Sequence, residues 1–130
     1  MDGFALVGVE PHQHAAAGDG QFDERKVFWN EGNYLTGLLY GHGGVWICNA
    51  PNLMFLPDRD GDDVPDGPPE IHLDGWTLES PHNAFNNLTW GPDGWMYGSI
   101  GFSKSSWIGR PGRSKSERVE IQQGIWRYHP

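Results

Sequence analysis

The stretch that decides the fold is TGLLYGHGGVWI (residues 36–47), and it recurs as NNLTWGPDGWMY (residues 86–97). Aligning the two copies superposes four pairs of residues at an offset of 50: Leu38 on Leu88, Tyr40 on Trp90, Gly41 on Gly91 and Gly44 on Gly94. Each copy has two short runs rich in apolar and aromatic residues around a glycine-containing turn, a pattern typical of a β-hairpin. The sequence therefore predicts a repeated hairpin.

Further short apolar runs flank each hairpin. Third strands are predicted at FALVGV (4–9), LMFLP (53–57) and GIWRYHP (124–130), and fourth strands at KVFW (26–29) and EIHL (70–73). Four antiparallel strands that recur at about 50 residues are typical of the blades of a β-propeller. The composition agrees, because 19 Gly and 10 Pro are interspersed with 17 aromatic residues (7 Trp, 6 Phe, 4 Tyr).

The predicted fold class is all-β, a fragment of a β-propeller with about two and a half four-stranded blades. The outer half of one blade is assigned to residues 1–32, a complete blade to 33–75, and three strands of a further blade to 76–130, with an insertion at 102–123. Each blade buries its faces against neighbours, so we expect the segment to belong to a longer protein. The alternative is a self-contained small β-sandwich with a coincidental repeat.

Charge and hydropathy exclude some classes of partner. The formal net charge of −8 repels phosphate backbones and anionic lipid, which argues against nucleic-acid binding. No apolar stretch approaches the ~20 residues that span a bilayer, so no direct membrane insertion is expected. The N-terminus lacks a basic segment followed by a hydrophobic one, and any export signal is expected outside this sequence.

An acidic turn, PDRDGDDVPDG (57–67), predicts a cation site. Four aspartates take positions 1, 3, 5 and 9 of the turn: Asp58, Asp60, Asp62 and Asp66. Alternate carboxylates in a tight loop converge, and hard oxygen ligands suit Ca²⁺. The turn differs from an EF-hand at position 6 (Asp63) and position 12 (Pro69), so a calcium-stabilised strand connection is the better description. A solvated acidic turn is the alternative.

A histidine stands just before the second hairpin copy, in SPHNAFNNLTWG (80–91). His82 has the chemistry of a general base at neutral pH, and the amides of Asn83 and Asn86 suit a polar ligand. A capped turn is the alternative interpretation of the His-Asn pair.

The insertion at 102–123 contains GRPGRSKSER (109–118), a local basic cluster in an acidic chain. Arg110 and Arg113 are predicted to bind a carboxylated cofactor or substrate. A solvated loop is the alternative.

HNAFNNLTWGPDGWMYGSIG (82–101) resembles the strand pair of soluble quinoprotein glucose dehydrogenases and sorbosone dehydrogenase-like propellers. Together with GLLYGHGGVWICNAPNLMFLPDRDGDDVPDG (37–67) and ERVEIQQGIWRYHP (117–130), it resembles the bacterial membrane-bound dehydrogenase N-terminal propeller family. The resemblance implies oxidation of a sugar or alcohol, with His82 as the base that takes the hydroxyl proton while hydride passes to pyrroloquinoline quinone. It also implies a c-type cytochrome domain, in the same or a partner chain, as electron acceptor, and a periplasmic or cell-envelope location.

One departure from that pattern supports a second hypothesis. Ala84, Phe85 and Asn86 stand where the glucose dehydrogenases have Gly-Gly-Arg or Ser-Gly-Arg. The missing arginine favours a non-catalytic, calcium-stabilised propeller that binds carbohydrate or protein ligands.

Overall fold

The computed structural model describes the backbone of residues 4–8 and the whole of residues 26–130. This part of the chain is all-β and contains no α-helix; its only helical turns are two short 3-10 turns, Pro81–Asn83 and Lys115–Glu117. No helix within it is long and apolar enough to span a membrane. Its strands are β1 (Phe4–Gly8), β2 (Lys26–Gly32), β3 (Leu35–Tyr40), β4 (Gly44–Asn49), β5 (Asn52–Pro57), β6 (Glu70–Leu73), β7 (Asn86–Trp90), β8 (Met96–Ile100), β9 (Ser106–Ile108), β10 (Val119–Ile121) and β11 (Gly124–Tyr128).

Strands β3 to β6 form a four-stranded antiparallel sheet in chain order. Its middle strands are buried on both faces, which explains the unbroken apolar runs VWIC and LMFL in the sequence. Successive side chains of a strand point to opposite faces. Trp46 and Phe55 therefore pack on one side of the sheet, and Ile47 and Leu56 pack on the other.

Strands β7, β8 and β11 form a three-stranded antiparallel sheet, with β8 in the middle. The connection from β8 to β11 contains a separate antiparallel hairpin of β9 and β10. Strands β1 and β2 pair in a two-stranded antiparallel sheet.

The sheets stack in layers, with the four-stranded sheet in the middle. The larger core lies between it and the three-stranded sheet, where Trp46 and Phe55 meet Met96 and Tyr128. The smaller core lies on its opposite face, where Phe28 of β2 packs with Leu56. At ~25 cal/mol per Å² of apolar surface removed from water, these two cores are the main source of stability.

The structure confirms the predicted all-β class and antiparallel strands. The two hairpin copies form β3–β4 and β7–β8, and EIHL forms β6 at the predicted residues. Val9, the last residue of the first predicted third strand, lies outside the described residues. The insertion differs from a plain loop, because SWI and VEI within it pair as β9 and β10.

Candidate functional site

The acidic turn connects β5 to β6 and is closed by backbone hydrogen bonds at its root. The amide of Asp66 donates to the carbonyl of Pro57 at 2.7 Å, which brings the end of the turn back to its beginning. The amide of Asp58 donates to the carbonyl of Gly43 at 2.9 Å, in the turn between β3 and β4. The turn is thus fixed to one end of the four-stranded sheet.

Three carboxylates of this turn converge. Oxygen atoms of Asp58, Asp60 and Asp66 all lie within 4.8 Å of one another. Asp58 is only 4% exposed, whereas Asp60 and Asp66 face solvent. Like charges at this separation repel, and a divalent cation between them would replace that repulsion with attraction.

Asp58 is the most constrained member of the cluster. Its Oδ1 accepts hydrogen bonds from the amides of Gly61 at 3.0 Å and Asp62 at 3.2 Å. Burial raises the pKa of the Asp58 carboxyl above its ordinary value, and these amide donors partly oppose the rise. A bound cation would favour the ionised form that burial disfavours.

Asp62, the fourth predicted ligand, lies outside this cluster. Its Oδ1 instead accepts a hydrogen bond from the amide of Val64 at 2.9 Å, in a local turn. The neighbouring Asp63 has a φ of 64° and forms an ion pair with Lys26 of β2 at 3.5 Å. The structure therefore brings together three of the four predicted calcium ligands.

Arg59 is the cation nearest to this cluster in the sequence, and it contacts Asp66. Its amide donates to Asp66 Oδ2 at 2.8 Å, and its guanidinium lies 3.8 Å from the same oxygen. The side chain of Arg59 is 66% exposed, so an ion pair of this kind is weak and leaves Asp66 available to a metal.

His82 lies in the 3-10 turn Pro81–Asn83, which precedes β7, and its side chain is exposed. The turn is held from two sides. The hydroxyl of Tyr34, just before β3, donates to the carbonyl of Pro81, and Asn83 Nδ2 donates to the carbonyl of Phe102 at 2.7 Å. His82 is thus exposed to solvent on a turn whose backbone is held by hydrogen bonds. This turn lies near the first residues of β3 and β7.

The amides of the two predicted ligand-binding asparagines make hydrogen bonds within the protein. Asn83 holds the segment after β8, as described above. Asn86 Nδ2 donates to the carbonyl of Ala84 at 3.1 Å, and its Oδ1 accepts from the hydroxyl of Ser99 at 3.1 Å. A ligand beside His82 would have to compete with these internal hydrogen bonds for the side-chain amides of Asn83 and Asn86.

The two predicted cofactor-binding arginines, Arg110 and Arg113, lie in the connection between β9 and β10. The hairpin runs antiparallel to residues 74–80, because Asp74 pairs with Gly109 while the amide of Lys104 donates to Ser80 Oγ. Ser80 directly precedes the turn that carries His82, whereas Asp74 and Gly109 lie next to Arg110 in the chain or by pairing. Arg110 thus follows the end of β9 that pairs with Asp74, not the end that contacts Ser80, and Arg113 forms an ion pair with Glu117 at 3.0 Å.

Sequence reasoning missed the structural role of Arg118. Its guanidinium forms an ion pair with Asp74 and donates to the carbonyl of Trp107 at 3.2 Å, while its Nε donates to the carbonyl of Arg113 at 2.9 Å. Part of the basic cluster thus fixes the hairpin rather than facing a ligand. The pairing of Asp74 with an arginine 44 residues away has no local signal in the sequence.

No curated protein and no solved structure matches the chain. A family model described as a domain of unknown function, DUF7133, matches residues 15–130. This match covers most of the chain, which therefore belongs to the DUF7133 family.

Proposed function

We propose that this chain is a section of a calcium-stabilised β-propeller. The repeat supports this proposal. The four-stranded and three-stranded sheets stack face to face, and a hydrogen bond joins residues that occupy the same position in the two hairpin copies. Trp90 Nε1 donates to the carbonyl of Tyr40, its counterpart 50 residues earlier, at 2.8 Å. The Trp90 indole fills the space above Gly41, where a Cβ atom would lie 2.6 Å from Nε1. Sheets that each contact the next in this way suit a radial repeat.

The observation that carries the calcium assignment is the convergence of Asp58, Asp60 and Asp66, whose carboxylate oxygens lie within 4.8 Å. Three oxygen ligands from a tight loop, completed by water or backbone carbonyls, suit the six to eight oxygens that Ca²⁺ takes. The turn bonds to the β3–β4 turn and to β2 through Lys26, so a metal there would stabilise the junction of two sheets.

Isothermal titration of the chain with Ca²⁺ tests this assignment. We expect saturable binding, and a thermal midpoint that rises with free Ca²⁺, because a ligand that binds only the folded state stabilises it. Asp60→Asn removes the negative charge of an exposed ligand and should weaken binding by about tenfold or more. Asp62→Asn is the matched control, since it removes the same charge from the same turn but Asp62 lies outside the cluster, and it should weaken binding much less than Asp60→Asn. Absence of heat at millimolar Ca²⁺ would refute the metal site.

A second candidate function is a quinoprotein-type sugar or alcohol dehydrogenase, favoured by the exposed His82 on its fixed turn. The imidazole would accept the substrate hydroxyl proton, and pyrroloquinoline quinone would take the hydride. A c-type cytochrome domain would then accept the electrons, in the periplasm or at the cell envelope. The resemblance to dehydrogenase propellers supports this candidate. The missing arginine after His82, where this chain has Ala84, Phe85 and Asn86, favours a non-catalytic propeller that binds carbohydrate or protein ligands.

Because a fragment of the propeller alone is expected to be inactive, dye-linked oxidation of glucose by the full-length protein, with Ca²⁺ and pyrroloquinoline quinone supplied, separates the two candidates. The enzyme hypothesis predicts turnover that depends on the quinone and is abolished by His82→Ala while calcium binding persists. His129→Ala, a second exposed histidine, is the matched control and should retain turnover. Equal rates in the His82→Ala and wild-type proteins would dismiss the catalytic role.

A further inference from the structure

A titratable pair joins the outer strands of the two larger sheets. His72 of β6 and Tyr128 of β11 lie 56 residues apart in sequence, and His72 Nδ1 is 3.0 Å from the Tyr128 hydroxyl. Tyr128 is 9% exposed and belongs to the larger core. The imidazole packs edge-on against Trp46, with ring centroids 4.6 Å apart, and near Phe55 at 6.1 Å.

The position of Glu70 favours the neutral tautomer of His72 in which Nε2 carries the proton. Glu70 Oε2 lies 3.6 Å from His72 Nε2, so a proton at Nε2 is attracted to the carboxylate. Nδ1 is then an acceptor, and the Tyr128 hydroxyl donates to it. In this state each of the three groups has a complementary neighbour.

Protonation of the imidazole reverses the polarity of the bond to Tyr128. Both ring nitrogens then carry hydrogen, so Nδ1 becomes a donor. The Tyr128 hydroxyl oxygen can then accept from Nδ1–H, but the hydroxyl hydrogen loses its acceptor, and no other acceptor for it is found among residues 26–130. A buried donor without an acceptor is costly, and moving β11 away from β6 would let water supply one.

We propose that His72 and Tyr128 form a pH-sensitive clamp that holds the outer edges of the two sheets together while His72 is neutral and releases them when it is protonated. The clamp depends on neither calcium nor catalysis, so it stands or falls independently of the proposed function.

The charges around His72 are consistent with a loss of stability when the imidazole is protonated. Burial lowers the pKa of His72 below its ordinary value of 6.5, and Arg110 lowers it further, while Glu70 opposes both. Trp46 and Phe55, the groups that face the ring from β4 and β5, carry no charge. A histidine whose pKa is lowered by folding contributes stability above pH ~6.5, and this stability is lost as the pH falls towards the folded-state pKa.

Imidazole titration by NMR, with amide exchange on the whole chain, tests the clamp. We expect His72 to titrate below pH 6.5, and protection of β6 and β11 to fall by about tenfold for each pH unit between the unfolded and folded pKa values. His72→Gln should remove this pH response, whereas His129→Gln, which alters an exposed histidine, should retain it. An unchanged response in His72→Gln would overturn the proposal.

Two further variants separate the clamp from simple burial. Tyr128→Phe keeps the ring but removes the hydroxyl that stabilises the neutral imidazole, so the pKa of His72 should rise. Glu70→Gln, at a half-exposed site, removes the charge that favours the protonated form, so the pKa of His72 should fall further. A His72 pKa that is unchanged or lower in Tyr128→Phe would show that burial alone sets the titration, and would overturn the clamp.

Discussion

The two larger sheets begin with the same hairpin, yet they differ in how much of each is buried. In the four-stranded sheet the third strand, β5, is buried at every position after its first residue. In the three-stranded sheet the equivalent strand, β11, exposes Ile125 to 78% and also exposes Arg127. The difference follows from neighbours, because β5 lies between β4 and β6 with side chains packed on both faces, whereas β11 is an edge strand with one covered face. Burial of the third strand is thus set by what covers it rather than by the hairpin that precedes it.

The largest expected effect on stability comes from the face of β5 that packs against β2, since the corresponding face of β11 is exposed. Leu56 is fully buried on the side of β5 that packs against Phe28 of β2. Leu56→Ala removes that contact and leaves a cavity, so it should lower the free energy of unfolding by about 2–5 kcal/mol. Urea denaturation followed by tryptophan fluorescence measures the change.

Ile125→Ala on β11 is the matched control for Leu56→Ala. Because Ile125 is 78% exposed, its truncation should change the free energy of unfolding by no more than about 0.5 kcal/mol. A loss as large as that of Leu56→Ala would show that the outer face of the three-stranded sheet is covered in solution, and the comparison between the sheets would fail.

Short apolar and aromatic runs between glycine-containing turns were enough to predict the strands of the larger sheets, but not β9 and β10 within the insertion or the contacts around them. The runs VWIC and LMFL form the two middle strands of the middle layer, where their burial on both faces depends on the sheets that cover them. The acidic turn was visible as a local spacing, although spacing alone did not show that the Asp62 side chain bonds to the backbone of its own turn. Contacts between distant residues, such as His72 with Tyr128, depend on how sheets stack and leave no trace in a local pattern.

The next largest effect concerns the hairpin that interrupts only the three-stranded sheet. Arg118 fixes the β9–β10 hairpin to Asp74, just beyond β6, and the side chains of both residues are mostly buried. Arg118→Met keeps the length of the side chain but leaves the Asp74 carboxylate and the Trp107 carbonyl without their donor. The free energy of unfolding should fall by about 1–3 kcal/mol, and amide protection should be lost first in β9 and β10.

Arg113→Met is the control for this prediction. Arg113 pairs with Glu117 on the surface, where both side chains are about half exposed, so its removal should cost no more than about 0.5 kcal/mol. Equal losses in the two variants would mean that the hairpin is held by the charge of the whole loop rather than by the Arg118–Asp74 pair.

The smallest expected effect separates the two hairpin turns. In the four-stranded sheet His42 packs against Trp90, whereas in the three-stranded sheet Asp93 accepts a hydrogen bond from the hydroxyl of Tyr97 at 2.6 Å. That bond lowers the pKa of the Asp93 carboxyl below its ordinary value of 3.8. A carboxyl with a lowered folded-state pKa contributes stability above its unfolded pKa, and this contribution disappears as the pH falls through the folded value.

Asp93→Asn should therefore lower the urea midpoint slightly near neutral pH and have no effect in strong acid, whereas Glu79→Gln, at another exposed carboxylate, should leave the midpoint unchanged throughout. A midpoint difference for Asp93→Asn that persists below the folded pKa would assign the effect to the shape of the turn rather than to its charge.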